Sequence, residues 1–171
     1  MRLYLIRHPL PEVASGICYG RTDLPLAGNP TAIANALVPQ LPVGVPLFSS
    51  PLTRCRRLAE LLHPAPIFDD RLREIDFGDW EMQPWDTLDR ALLDAWVADP
   101  IHFAPPNGES VELLLQRSQH FLHELSCDAI VVTHAGVIKV IAGLIDAVPV
   151  SSWLQYTFQY GSMTVLNWDN R

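Results

Sequence analysis

Two short runs, Leu3-Tyr4-Leu5-Ile6 and Ala129-Ile130-Val131-Val132, contain no polar residue, and each breaks off shortly afterwards at a histidine, His8 or His134. Successive side chains of a strand alternate between its two faces, so a strand that is apolar throughout must be covered on both. Strands of that kind belong to parallel sheets with helices on either side, and such sheets bind ligands at the carboxyl edge of their strands. The break into Arg7-His8, ended by Pro9 with its missing N–H, therefore puts a cation and an imidazole where a ligand is expected.

The remaining pattern agrees with this sheet. Residues 10–30 are rich in Gly and Pro with only short apolar pieces, a long irregular segment of the kind that usually carries function. A short helix is expected over 31–38, ending before Pro39. Val45-Pro46-Leu47-Phe48 reads as a second strand, and Leu52, Cys55, Leu58, Ala59 and Leu62 recur at helical spacing. The short apolar pair Ile67-Phe68 follows. Asp86 is placed to cap a helix over 87–97 with Leu88, Leu92, Leu93 and Trp96 inward, and Ser110 to cap a long helix carrying Val111, Leu114, Leu115, Phe121, Leu122 and Leu125. A helix over 137–145 and an edge strand over 162–168 complete the chain. Strands alternating with helices imply an α/β fold, a three-layer α/β/α sandwich with a mainly parallel sheet, in one domain spanning 1–171.

If the two buried strands lie side by side, His8 and His134 reach one crevice, and the helix that follows aims N–H groups into it. Ser49-Ser50-Pro51 ends another strand at the same edge and leads into Arg54, in the first turn of its helix and pointing away from the apolar stripe. A cation there opposes the helix dipole unless it binds an anion. Arg56 and Arg57 read as a solvated face. Arg7, Arg54, His8 and His134 would form a cage for a dianion of phosphate size, since the guanidinium fork suits phosphate oxygens.

Charge and cysteine usage narrow the partners. With 12 Lys and Arg against 19 Asp and Glu, the chain carries a formal net charge of -7, which disfavours nucleic acid and anionic membranes. An anionic substrate must be held by a local cationic cluster. Cys18, Cys55 and Cys127 have no disulfide or zinc-like spacing, and no leader or membrane-length apolar run is evident, so a cytoplasmic protein is expected. His120 and His123 lie three apart on one helix, but no Cys or acid at matching spacing favours a metal pair over ordinary helix histidines. No metal and no cofactor is expected.

The pieces Arg7-His8 after Leu3–Ile6, Ser50-Pro51-Leu52-x-Arg54, Glu74 within Arg73-Glu74-Ile75-Asp76-Phe77-Gly78-Asp79-Trp80-Glu81, and Val131-Val132-Thr133-His134-Ala135-Gly136 resemble the histidine phosphatase superfamily, the phosphoglycerate mutase-like fold, over nearly the whole chain. Gly16–Asp23 and Pro105–Ser110 look further like the α-ribazole phosphatase branch, which acts in cobalamin nucleotide-loop assembly. The resemblance implies a phosphomonoesterase in which His8 is the nucleophile, Arg7, Arg54 and His134 hold phosphoryl oxygens, and Glu74 is the proton donor and then the base. Ile75 and Phe77 would help keep Glu74 neutral by desolvation. Read without the resemblance, Glu74, Asp76 and Glu81 would be a solvated acidic loop, and the resemblance reverses that for Glu74 only. The family's Arg-His-Gly-x-Thr continuation, with an Asn soon after, is here Arg7-His8-Pro9-Leu10-Pro11, so the usual Thr and Asn are missing; Ser49 or Ser50 would have to compensate.

Substrate choice falls to the two loops, where Tyr19, Arg21, Trp80, Trp85 and His102 are candidates to contact a ribose or a flat base. The substrate expected is α-ribazole 5′-phosphate or adenosylcobalamin 5′-phosphate. A broad phosphatase of sugar phosphates or nucleotides, and a non-catalytic binding module that kept the cage, are the alternatives. Cofactor-dependent mutase chemistry is disfavoured, because such enzymes carry longer insertions. The sequence leaves the oligomeric state open.

Overall fold

A computed structural model describes residues 1–153 and 155–169; the last two residues of the expected 1–171 domain lie outside them. Its sheet has five strands in the order β3-β2-β4-β1-β5. These are β1 (Arg2–Arg7), β2 (Leu47–Ser49), β3 (Ile67–Phe68), β4 (Ala129–Thr133) and β5 (Met163–Asn167). β1 and β4 pair in parallel with Leu3 opposite Ala129 and Arg7 opposite Thr133, and β2 and β3 continue the parallel part. Only β5 runs antiparallel, against β1.

The expectation that both faces are covered holds strand by strand. Leu3, Leu5, Ala129 and Val131 point into a core shared with α4 (Val111–Glu124) and α5 (Ala135–Asp146). Their neighbours Tyr4, Ile6, Ile130 and Val132 point into a second core with α1 (Thr31–Leu37) and α2 (Thr53–Leu62). Period-two alternation thus sends one apolar run into two cores, giving the α/β sandwich of a phosphoglycerate mutase-like fold. Each fully buried Leu or Ile adds roughly 2 kcal/mol of transfer free energy.

Ser110 caps α4 as expected, its hydroxyl accepting from the Leu113 N–H at 3.2 Å. The Asp86 expectation is corrected. Trp85–Thr87 forms a 3-10 turn, Leu88 is extended, and α3 runs from Arg90 to Ala98 with Asp89 accepting from the Ala91 and Leu92 N–H groups. An Asp occurs at both positions, but the chain turns helical only after Leu88 is buried. The inward face was placed correctly, for Leu92, Leu93 and Trp96 pack with Cys18, Trp80, Leu88 and Phe103 in a third cluster. The sequence reading missed β3 as a strand and the four-residue α6 (Val150–Trp153). Among the described residues no helix is long and apolar enough to cross a membrane.

Candidate active site

The parallel register of β1 and β4 brings His8 and His134 together at the carboxyl edge, with ring centroids 5.0 Å apart. His8 is buried, and its Nδ1 lies 2.6 Å from the Pro9 carbonyl oxygen. A carbonyl accepts only, so Nδ1 carries the proton and Nε2 keeps its lone pair. Burial, together with the positive charges of Arg54 and Arg7, pulls His8 down to about 3 despite the opposing pull of the Pro9 carbonyl. The imidazole is therefore a neutral, Nε2-nucleophilic ring at neutral pH.

Arg54 is fully buried at the crevice. Its Nε donates to His134 Nδ1 at 3.2 Å, its Nη1 to the Thr22 carbonyl at 2.7 Å and its Nη2 to the Gly20 carbonyl at 2.5 Å. None of these partners is anionic, and a guanidinium has five donors, so both charge and N–H groups remain for a ligand. Arg7 is in a similar condition. Its Nη1 donates to the Phe158 carbonyl at 2.7 Å, while its buried Nε has no partner.

Because Arg54 fills Nδ1 of His134, that ring is protonated on Nε2, which donates to Ser50 Oγ at 2.8 Å. Burial, then Arg54 and His8, hold His134 well below its ordinary range. Its one N–H is engaged by Ser50 in the structure, so a bound oxyanion must compete with Ser50 for it.

Glu74 stands next to His134 in space through the first turn of α5. Its Oε2 accepts from the Gly136 N–H and its Oε1 from the Ile75 N–H, both at 3.0 Å. The helix N-terminus expected to face the crevice thus holds a carboxylate. A Cβ on Gly136 would lie 2.3 Å from Glu74 Oε1, so the glycine is what lets the carboxylate approach.

The acidic loop is not solvated as expected for Asp76 and Glu81. Glu81 accepts from the N–H groups of Gly20, Arg21, Thr22 and Phe77 and from the Thr22 hydroxyl. Burial alone would raise this carboxyl, but those bonds, the Thr22 hydroxyl foremost, hold it below the usual range. Glu81 therefore shapes the very loop whose carbonyls hold Arg54. Asp76 accepts from the Gly78 N–H at 2.8 Å and faces Arg21.

Of the substrate candidates, Tyr19 is at the site. Its hydroxyl is 3.0 Å from that of Tyr160, and its ring lies 5.7 Å from the Arg54 guanidinium carbon. Arg21 is turned to Asp76 at 3.4 Å and Glu109 at 3.7 Å. His102 is exposed and paired with Asp99 at 2.9 Å, with no contact to the cage. Trp80 and Trp85 pack in the aromatic cluster, Trp85 stacked on Trp96. Arg56 also departs from its solvated reading, lying 4.2 Å over the Phe68 ring. His120 pairs with Glu124 and His123 packs on Trp168; among the described residues no group of three or more His, Cys, Asp or Glu could hold a metal.

Sequence reasoning missed Tyr160. Its ring lies 3.7 Å under the Arg7 guanidinium carbon and 5.6 Å from the His8 ring. The antiparallel start of β5 puts it there: the Gly161 N–H donates to the Arg7 and His8 carbonyls, and Arg7 N–H donates to the Ser162 carbonyl. Gly161, with φ of 68°, was the available signal of a tight turn at the strand edge. Ser49 and Ser50 are both buried; only Ser50 touches the cage.

Comparison with known proteins agrees with this geometry. A family described as "Histidine phosphatase superfamily (branch 1)" matches residues 3–171. The chain is 29% identical to the adenosylcobalamin/alpha-ribazole phosphatase of Escherichia coli (strain K12), over 98% of this chain and 90% of that protein. It is 30% identical to a glucosyl-3-phosphoglycerate phosphatase of Mycolicibacterium vanbaalenii, over 89% of this chain and 77% of that one. The crystal structure of the alpha-ribazole phosphatase from Shigella flexneri superposes with a TM-score of 0.87 at 27% identity, covering 99% of this chain and 91% of its own.

Proposed function

This chain belongs to the histidine phosphatase superfamily, a phosphoric monoester hydrolase like its relatives, and we propose that it works through a phosphohistidine on His8. The observation that carries the proposal is a buried imidazole with Nε2 free, flanked by Arg7 and Arg54, neither of which is paired with a carboxylate among the described residues. Cations withdrawn from water without a carboxylate partner are costly unless an anion completes them.

His8 Nε2 attacks phosphorus, forming a P–N bond as the ester P–O bond breaks. The Nδ1–H held on Pro9 O supports the positive charge that develops on the ring. Arg7 and Arg54 neutralise the phosphoryl oxygens in the transition state, joined by His134 once its Nε2–H leaves Ser50. Glu74, as an acid, protonates the departing alkoxide. As a carboxylate it then takes a proton from the water that cleaves the P–N bond, releasing phosphate and neutral His8. No metal or cofactor enters any step.

The substrate we propose is α-ribazole 5′-phosphate or its adenosylcobalamin-linked form, supported by the names of the relatives and by Tyr19 and Tyr160 beside the cage. The relative named for glucosyl-3-phosphoglycerate favours a second reading, a broader sugar-phosphate phosphatase. Rapid quenching after incubation with a 32P-labelled phosphomonoester is expected to trap an acid-labile, base-stable label on His8. A His8→Ala protein that still hydrolyses the ester would sink the mechanism. Preference for α-ribazole phosphate over 3-phosphoglycerate and p-nitrophenyl phosphate should exceed about tenfold in kcat/KM, about 1.4 kcal/mol; equal values would favour the second reading.

A further inference from the structure

On α4 a second arginine, part-buried, has its donors engaged within the protein. Arg117, with its side chain 15% exposed, donates Nε to Glu109 Oε1 at 2.7 Å and Nη2 to Glu109 Oε2 at 2.9 Å. Its Nη1 donates to the carbonyls of Arg71 at 2.5 Å and Arg73 at 2.6 Å, and its Nη2 to the carbonyl of Glu74 at 3.1 Å. Those bonds use all five guanidinium donors. Glu109 in turn grips the far end of the same segment: its N–H donates to the Asp76 carbonyl at 2.7 Å, and its Oε2 accepts from the Asp76 N–H at 3.3 Å. One ion pair therefore fixes the backbone of residues 71–76 at three of its carbonyls and one N–H, with Glu74 in the middle.

We infer that Arg117, locked by Glu109, is a positioning residue for Glu74: it sets the backbone from which the carboxyl reaches the leaving-group oxygen. The inference rests on the proton-donor reading of Glu74 given above. Glu74 is held at both ends, its carbonyl by Arg117 and its carboxylate by Gly136 and Ile75. A lysine at 117 offers three donors from a single point and cannot span the Arg71, Arg73 and Glu74 carbonyls while also making a bidentate pair with Glu109. Small misplacement of a proton donor slows the step that needs the proton and spares the step that does not.

Leaving-group dependence tests this. Glycerol 3-phosphate releases an alkoxide that requires a proton, whereas p-nitrophenyl phosphate releases a stabilised anion that does not. Glu74→Gln defines the signature: a large loss of kcat/KM on the alkyl ester and a small one on the aryl ester. Arg117→Lys is expected to reproduce it, with a 10- to 100-fold loss on glycerol 3-phosphate and less than about threefold on p-nitrophenyl phosphate. KM for the alkyl ester and competitive inhibition by inorganic phosphate should stay unchanged, because the cage is untouched. Equal losses on both esters, or none, with the Glu74→Gln signature present would overturn the positioning role alone. Absence of the signature in Glu74→Gln would instead remove the proton-donor reading, and this inference with it. Should Arg117→Lys not fold, Glu109→Gln, which replaces one of the two oxygens that accept from Arg117 by an NH2 group that cannot, carries the same expectation.

Discussion

Arg54 and Arg117 are both held in the protein by buried or part-buried hydrogen bonds, yet they have opposite relations to charge. Arg117 spends every donor, two of them on a carboxylate, and is electrically finished. Arg54 is fully buried on two carbonyls and an imidazole and keeps its charge unspent. That unspent charge acts on His8, which burial has already driven toward the neutral form. The consequence is measurable at the single residue. In 13C-edited NMR the His8 Cε1–H signal should hold constant from pH 8 to pH 5, and an inflection near 6.5 would contradict it. Arg7-His8 was identifiable from sequence because a change from apolar to polar at a strand end is a one-dimensional signal. The burial of Arg54 was not, since its partners Gly20 and Thr22 sit on a distant irregular loop whose path Glu81 dictates.

At the scale of elements, α5 joins the site to the core. Its first turn holds Glu74 through Gly136, its body packs Val137, Ile138, Val140 and Ile141 under the sheet, and its last turn ends in Ala147. Ala147 has φ 52° and ψ 37°, the left-handed conformation that a Cβ disfavours and that glycine commonly supplies at helix ends. Relief of that strain, less the backbone entropy glycine loses, leaves a net gain of about 0.5–1 kcal/mol for Ala147→Gly. The expected result is a Tm rise of roughly 1–4 °C with unchanged turnover; a fall in Tm would refute it. Periodicity revealed α4 and α5 because each turns one long apolar stripe to the sheet. It missed β3 and α6, which are too short for any period to register. The edge strand β5 was expected, but its direction was not, and direction is what carries Tyr160 to His8.

For the molecule as a whole, the two buried histidines couple folding to pH. An unfolded chain takes up a proton on His8 below about 6.5, while the folded site refuses it until about 3; His134 is displaced in the same direction. The unfolded state binds more protons in that window, so stability falls as pH falls, by roughly 1.4 kcal/mol per pH unit for each such histidine. Urea unfolding at pH 7.5, 5.5 and 4.5 should show this decline. A His8→Asn protein should show a shallower one. Stability that is flat across those pH values would show that the histidines are not held neutral. The net charge of -7 acts over the same scale by keeping the general surface unattractive to anions.

The order of apolar runs and breaks along the chain was enough to imply a parallel sheet covered on both faces, with His8, His134 and Arg54 gathered at one edge, because strand alternation and parallel pairing are local rules repeated at each residue. Which donors are spent and which remain was decided only in three dimensions. A hydrogen bond from Arg117 to Glu74, or from Arg54 to Gly20, joins residues more than thirty positions apart, and no local rule links them. It is that allocation of donors, more than the presence of the residues, that leaves one imidazole nitrogen and two guanidinium groups with hydrogen-bonding capacity unspent.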